Sequence, residues 1–119
     1  MKVKTKKNLK KQCDIAWSKK VKELSHGRCE VCGSISTLNS HHIIGRVNYA
    51  LRWDLKNGMT LCSSCHKFSK TSAHNDPVHF MEYFKKARPE DYQYLLTKKN
   101  TLAKYIDYEQ ILKELRGEI

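Results

Sequence analysis

The chain has 119 residues, 39% hydrophobic and 29% charged, which suits one domain whose modest core would gain from a metal staple. Lys and Arg number 23 against 12 Asp and Glu, a formal net charge of +11; such an excess points to a polyanionic partner, nucleic acid being the commonest, beside the plainer reading of solubility. No apolar run approaches the roughly 20 residues of a membrane span and none resembles a signal-peptide core, so a cytoplasmic protein is expected, where paired cysteines more often bind metal than form disulfides.

The basic excess lies at the start: residues 1–28 carry +8, residues 29–76 carry +2 and residues 77–119 carry +1. A Lys-rich arm, "MKVKTKK", runs into a helix expected over residues 8–25, where Leu9, Cys13, Trp17, Val21 and Leu24 form one apolar stripe. The other faces of this helix are mostly lysine, and Gly27 is the expected stop. Residues 28–66 lack helical periodicity. "RCEVCG" reads as a turn built on two cysteines, "STLNSHHII" as a strand, and "MTLCSSCH" as a second strand followed by a second turn. Between the strands, "GRVNYALRWDLKNG" reads as a long loop anchored by Trp53 and Leu55, and from His66 a helix could begin. The last third reads as helices. Asp76 and Pro77 open the first, Pro89 with Glu90 and Asp91 the second. Ile111, Leu112 and Leu115 line the third, and Gly117 stops it.

Cys29 and Cys32 form one Cys-x-x-Cys, Cys62 and Cys65 another. Two such pairs supply four thiolates for a structural Zn²⁺ site, with a redox dithiol or an iron–sulfur cluster as the lesser alternatives. A zinc ion held by four cysteines has no open position, so any reaction needs a second centre. Cys13, on the helix stripe, reads as a buried apolar residue.

The ordered set Cys29-x-x-Cys32, His41-His42-Ile-Ile, Asn57, Cys62-x-x-Cys65-His66 resembles the HNH endonucleases, the ββα-metal or His-Me finger family. The resemblance covers about residues 27–70. "HHIIGR…LRWDLKNGMTLCSSCH" is similar to phage HNH nucleases, including recombination nucleases of the NinG type. The resemblance implies an α+β fold: a ββα-metal core with a structural four-cysteine zinc site, a basic N-terminal helix, and C-terminal helices covering the other side. One domain is expected over residues 1–119: arm and helix in 1–26, zinc-bound core in 27–70, helical part in 71–119.

It further implies a metal-dependent DNA endonuclease that nicks or cuts both strands, in phage or prophage recombination, packaging or defence. His42 takes the place of the general base, and a near-neutral imidazole suits that task. Asn57 braces the loop and helps orient the base. His41 takes the place of the first ligand to a catalytic divalent metal, where many members have Asp, and His66 that of the second. Such an imidazole-rich site is expected to accept Mn²⁺, Ni²⁺ or Co²⁺ at least as readily as Mg²⁺. Residue 70 is Lys where some relatives carry His, so His74 becomes the candidate third ligand, with an ordinary residue at a helix start as the plainer reading. His26 reads as a helix-end residue and His79 as packing or surface. Neighbouring residues on an ideal strand point to opposite faces, so His41 and His42 can serve one phosphate only if it lies at the strand end, between them.

Arg46 and Arg52 are candidate phosphate contacts from the loop, with pairing to Asp54 as the structural alternative. Lys10, Lys11, Lys19, Lys20 and Lys22 would add nonspecific, salt-dependent affinity for DNA. The competing readings are a zinc-stabilised DNA-binding module of degenerate HNH fold, without catalysis, and a protein acting on RNA. A monomer would nick, and paired cuts would call for a homodimer.

Overall fold

Leu9, Cys13, Trp17 and Val21 recur every fourth residue, and they are the buried face of helix α1 (Lys6–Leu24). The computed structural model describes residues 5–117, so Lys2 and Lys4 of the expected basic arm lie outside the described residues. The helix begins two residues before the apolar stripe predicts, because the Thr5 hydroxyl accepts the Asn8 N–H at 3.1 Å and caps it. Leu24, expected on the stripe, is 58% exposed. The chain has already turned away: the His26 N–H returns to the Glu23 carbonyl and the Gly27 N–H to that of Lys22. This closure needs left-handed backbone at the residue after the cap. His26 supplies it at φ 57°, and Gly27, the expected stop, follows in the same region at φ 68°.

Two strands, β1 (Leu38–His42) and β2 (Gly58–Cys62), pair antiparallel, with His42 opposite Gly58, His41 opposite Met59 and Ser40 opposite Thr60. The long connection between them is pinned by a 3-10 turn at Leu55–Asn57. β2 is buried along its whole length because both of its faces are covered. Gly58 and Thr60 face α1, with the Thr60 hydroxyl donating to the Val21 carbonyl at 3.3 Å. Met59 and Leu61 join Phe80, Phe84 and Leu95 in the core on the other face. The alternation of an extended strand therefore feeds two separate cores.

The helix expected from His66 is a single wide π-type turn, Ser64–Phe68, closed by the Ser69 N–H on the Ser64 carbonyl at 2.9 Å. Three helices follow: α2 (Pro77–Ala87), α3 (Pro89–Lys98) and α4 (Tyr108–Arg116). Asp76 caps α2 as its sequence predicts, accepting the His79 N–H at 3.1 Å. α2 and α3 cover the Met59 face of the hairpin, supplying Phe80, Phe84 and Leu95 to that core. α4 does not join them there; it returns to α1, where Leu112 and Leu115 complete the core of Leu9, Cys13, Trp17, Val21 and Trp53. The amphipathic stripe of α1 is wider than β2 can cover alone, and α4 takes the remainder. Among the described residues no helix is long and apolar enough to cross a membrane.

The close approach of α1 to the hairpin depends on Gly58. A Cβ there would lie 2.5 Å from Val21 Cγ2 and 2.8 Å from Trp17 Cζ2. Both obstacles are ring or branched carbons in a packed core, so neither can give way cheaply. Gly58→Ala should therefore cost about 1–3 kcal/mol, the range for overpacking a core, read as a lower urea midpoint at unchanged slope.

Candidate functional site

The first Cys-x-x-Cys sits in a tight turn in which the Gly33 N–H bonds the Cys29 carbonyl at 2.9 Å and the Cys29 N–H bonds the Ser34 carbonyl at 2.8 Å. Glu30 docks this turn on β2: its N–H donates to the Thr60 carbonyl at 2.9 Å, and its carboxylate accepts the Thr60 N–H at 2.6 Å. Cys62 closes β2 and Cys65 lies in the π-turn. The four sulfurs converge within 4.8 Å of one another, with Cys32 and Cys62 at 3.6 Å. Four thiolates at zinc distances of about 2.3 Å define a tetrahedron with edges of roughly 3.8 Å, so the set fits such an ion with little adjustment. Burial opposes ionisation of Cys29, but the backbone amides of Cys32, Cys62 and Val31 outweigh it and bring the thiol down to about 7.

The second cluster is made of imidazoles. His41, His66 and His74 each offer a ring nitrogen, and these atoms lie within 4.8 Å of one another. His66 and His74 approach Nε2 to Nε2 at 3.0 Å, close to the separation of two ligands at right angles on an ion with bonds of roughly 2.1 Å. The donor set therefore fits a divalent transition ion, leaving positions for oxygen ligands. His41 also meets the edge of Phe80, with ring centroids 5.2 Å apart. Burial, then the neighbouring imidazoles of His66 and His74, push its pKa down to about 3, and burial and His74 bring His66 down to about 4. Both rings are thus neutral and ready to donate lone pairs at physiological pH.

His74 reaches this cluster by a route that residue spacing does not reveal. The π-turn ends at Phe68, so Lys70 is not on a helical face one turn beyond His66 and is exposed. The chain loops back instead. The Asn75 amide donates to the carbonyls of Lys67 and Ser69 at 2.7 and 2.9 Å, and the Ala73 and His74 N–H groups bond the Cys65 and His66 carbonyls at 2.9 and 3.1 Å. Two neighbouring residues, Cys65 and His66, thereby contribute to the two clusters.

His42 belongs to neither cluster. Its ring lies flat on Trp17, with centroids 3.9 Å apart and planes 9° from parallel, and its Nε2 is 2.9 Å from the Arg52 carbonyl. A carbonyl only accepts, so Nε2 carries the proton and Nδ1 keeps its lone pair. Burial lowers the pKa of His42, with the nearby Arg52 charge acting in the same direction; the hydrogen bond to the Arg52 carbonyl only partly offsets this. His41 and His42 do point to opposite faces of β1, as strand alternation requires: one towards α2 and the imidazole cluster, the other towards α1.

Asn57 is fully buried between the strands. Its Oδ1 accepts the Ile44 N–H at 2.7 Å, and its Nδ2 donates to the carbonyls of Ile44 and Leu51 at 3.0 and 3.1 Å. These bonds fix both ends of the loop whose Arg52 carbonyl holds His42. Arg52, expected to face phosphate, is instead 8% exposed; its Nε and Nη2 clasp the Asp14 carboxylate at 3.0 and 2.8 Å. Trp53 Nε1 donates to the same carboxylate at 2.8 Å. Burial works against the Asp14 charge, but the hydrogen bonds from Arg52 and Trp53 hold its carboxyl below the usual range. Asp54, weighed as the partner of an arginine, instead accepts the Tyr94 hydroxyl at 2.5 Å and caps the Lys56 N–H.

Of the remaining candidate phosphate contacts, Arg46, Lys11 and Lys19 are exposed. Lys20 lies 4.0 Å from Glu23, Lys22 is half-buried, and Lys10 is hydrogen-bonded to the Tyr49 hydroxyl. His79 is exposed and in neither metal cluster, and His26 forms the end of α1. Residue spacing does not single out Asp14 or Trp17 as neighbours of His42. The one legible sign is that Asp14 is one of only two acidic residues in the lysine-rich first 28.

A hairpin flanked by a four-cysteine cluster and a three-imidazole cluster, with a further histidine at the strand end, is an α+β arrangement consistent with a ββα-metal fold. Residues 29–71 match the family model for HNH endonucleases. No curated protein and no solved structure matches the chain.

The depressed imidazoles predict a pH dependence. Between about 6.5 and 4 the unfolded histidines take up protons that His41 and His66 refuse, so stability present above 6.5 is lost as pH falls through that window. Protein carrying zinc on its cysteines alone should show a falling unfolding temperature there, and His41→Gln should flatten the slope relative to wild type.

Proposed function

We propose that this protein is a metal-dependent endonuclease that hydrolyses phosphodiester bonds in DNA. The observation that carries the reading is the tautomer of His42: with Nε2 donating to the Arg52 carbonyl, Nδ1 is a bare base at the end of β1. On the neighbouring residue's face, His41, His66 and His74 offer three ring nitrogens to a divalent ion. A phosphate at the strand end would lie between the two.

In this reading Nδ1 of His42 takes a proton from a water molecule as its oxygen attacks phosphorus, and the bond to the 3′ oxygen breaks. His41, His66 and His74 would hold a divalent ion, which when bound would supply Lewis-acid stabilisation of the charge on the phosphate and the leaving oxygen. Asn57 acts at one remove, by fixing the loop that orients the base. Cys29, Cys32, Cys62 and Cys65 would hold a structural Zn²⁺ that braces the frame. With nitrogen donors in the catalytic set, Mn²⁺, Ni²⁺ and Co²⁺ serve at least as well as Mg²⁺. Arg46, Lys11 and Lys19 are the exposed cations available to the DNA backbone, together with Lys10, Lys20 and Lys22 where their side chains can be recruited. None of these contacts reads a base, so affinity is mainly for phosphate. The cellular role proposed is phage or prophage recombination, packaging or defence in a bacterial host cytoplasm, in keeping with the resemblance to NinG-type nucleases.

The test is cleavage of supercoiled plasmid with Mn²⁺, Ni²⁺, Co²⁺, Mg²⁺ or EDTA, beside His42→Ala protein checked for retained zinc and fold. Metal-dependent nicking should appear in the wild type and fall by at least about 100-fold in the variant, the scale of a lost general base. If both proteins bind DNA and neither cuts with any metal, the protein is a zinc-stabilised binding module. Preferential cleavage of RNA competitor would replace DNA as the substrate.

A further inference from the structure

We infer that Asp14 and Trp17 of α1, both outside the matched segment 29–71, are positioning residues for His42, fixing the plane and tautomer of its ring. The inference rests on the nuclease reading above, because it assigns these two residues to the orientation of the proposed base.

An imidazole at a strand end has two torsions to fix and two ring nitrogens to choose between. Trp17 fixes the plane: its indole covers the ring face to face at 3.9 Å. The indole is itself fixed by its Nε1–H, which donates to the Asp54 carbonyl at 3.0 Å. Gly58, the strand partner of His42, leaves the room in which the indole lies. The rotation within that plane, and the tautomer, are set by the Arg52 carbonyl. A carbonyl in a long loop would be a poor reference point unless its residue were immobilised. Asp14 does this by clasping the Arg52 guanidinium through two hydrogen bonds and the adjacent Trp53 indole through a third. A bidentate pair of this kind fixes direction as well as distance. The Arg52 Nη1 also reaches the Arg46 carbonyl at 3.4 Å, tying down the stretch of loop nearest the exposed Arg46 side chain. Thus the ring is gripped on one face and at one nitrogen, and both grips are anchored on one turn of α1.

A purely structural role for Asp14 and a positioning role differ in what they move. If Asp14 only stabilises the loop, Asp14→Asn lowers the unfolding temperature and leaves the rate per folded molecule unchanged. If it positions His42, kcat falls while substrate binding is retained, since the geometry of the base matters in the transition state alone. Asp14→Asn and Trp17→Phe should each lower kcat on nicked or supercoiled DNA by on the order of 10-fold to 100-fold, with KM within about twofold, in protein with full zinc content.

A second measurement requires no cleavage, and its first reading needs the wild type alone. Nitrogen-15 correlation spectra of the wild type should show His42 as the Nε2–H tautomer, with ring protons shifted upfield by the stacked indole, and both signatures should change in Asp14→Asn. A wild-type His42 protonated on Nδ1, or a ring free of the indole's influence, overturns the inference even if the variants fail to fold. Wild type that cuts while Asp14→Asn and Trp17→Phe cut equally fast overturns it and leaves the nuclease reading standing. Wild type that cuts nothing with any metal removes the nuclease reading and this assignment together.

Discussion

Successive side chains of an extended strand must leave on opposite sides, and the functional half of this molecule follows from that rule. His41 and His42 are neighbours in sequence, yet one looks towards α2 and the other towards α1. Each finds a different environment: a pocket of like imidazoles next to Phe80 on one side, a flat aromatic surface and a peptide carbonyl on the other. Two imidazoles are thereby separated by the width of one strand without a second element to hold them apart. The same rule governs the opposing strand, where Gly58 and Thr60 serve one core and Met59 and Leu61 the other.

The small size of the molecule explains the division of labour among its supports. A two-stranded hairpin is marginal by itself, and here it is covered by helices from both ends of the chain and tied by the cysteine knuckle. A structural zinc ion contributes on the order of 10 kcal/mol in small domains, comparable with the whole stability of a protein of this length. The aromatic and salt-bridged contacts of α1 act beside the cysteines by fixing direction as well as distance. Arg88 plays a similar part on the other side, donating to the Gly58 carbonyl at 2.7 Å while pairing with Asp91 and Glu30.

Much of this frame is legible in the sequence because it is written in local signals. The every-fourth-residue stripe of α1, the paired cysteines, the strand around His41 and the proline-marked starts of α2 and α3 each report on structure within a few residues. What spacing does not report is convergence from a distance. His74 joins His66 only because a loop held by Asn75 doubles back, and Arg52 turns inward only because Asp14, 38 residues away in sequence, meets it. An arginine in a loop of a basic protein looks like a phosphate contact until its acidic partner is in view. Likewise the return of α4 to α1 depends on how much of the apolar stripe the hairpin leaves bare.

The adjacency of Cys65 and His66 changes how metal-depletion experiments on this protein should be interpreted. The two residues share a peptide bond, and their carbonyls receive the N–H groups of Ala73 and His74. Removing an ion held by the sulfurs would loosen the backbone that presents two of the three imidazoles. Any effect of a strong chelator therefore reports on both clusters together, and a metal is to be returned to the cysteines before ions at the imidazoles are compared.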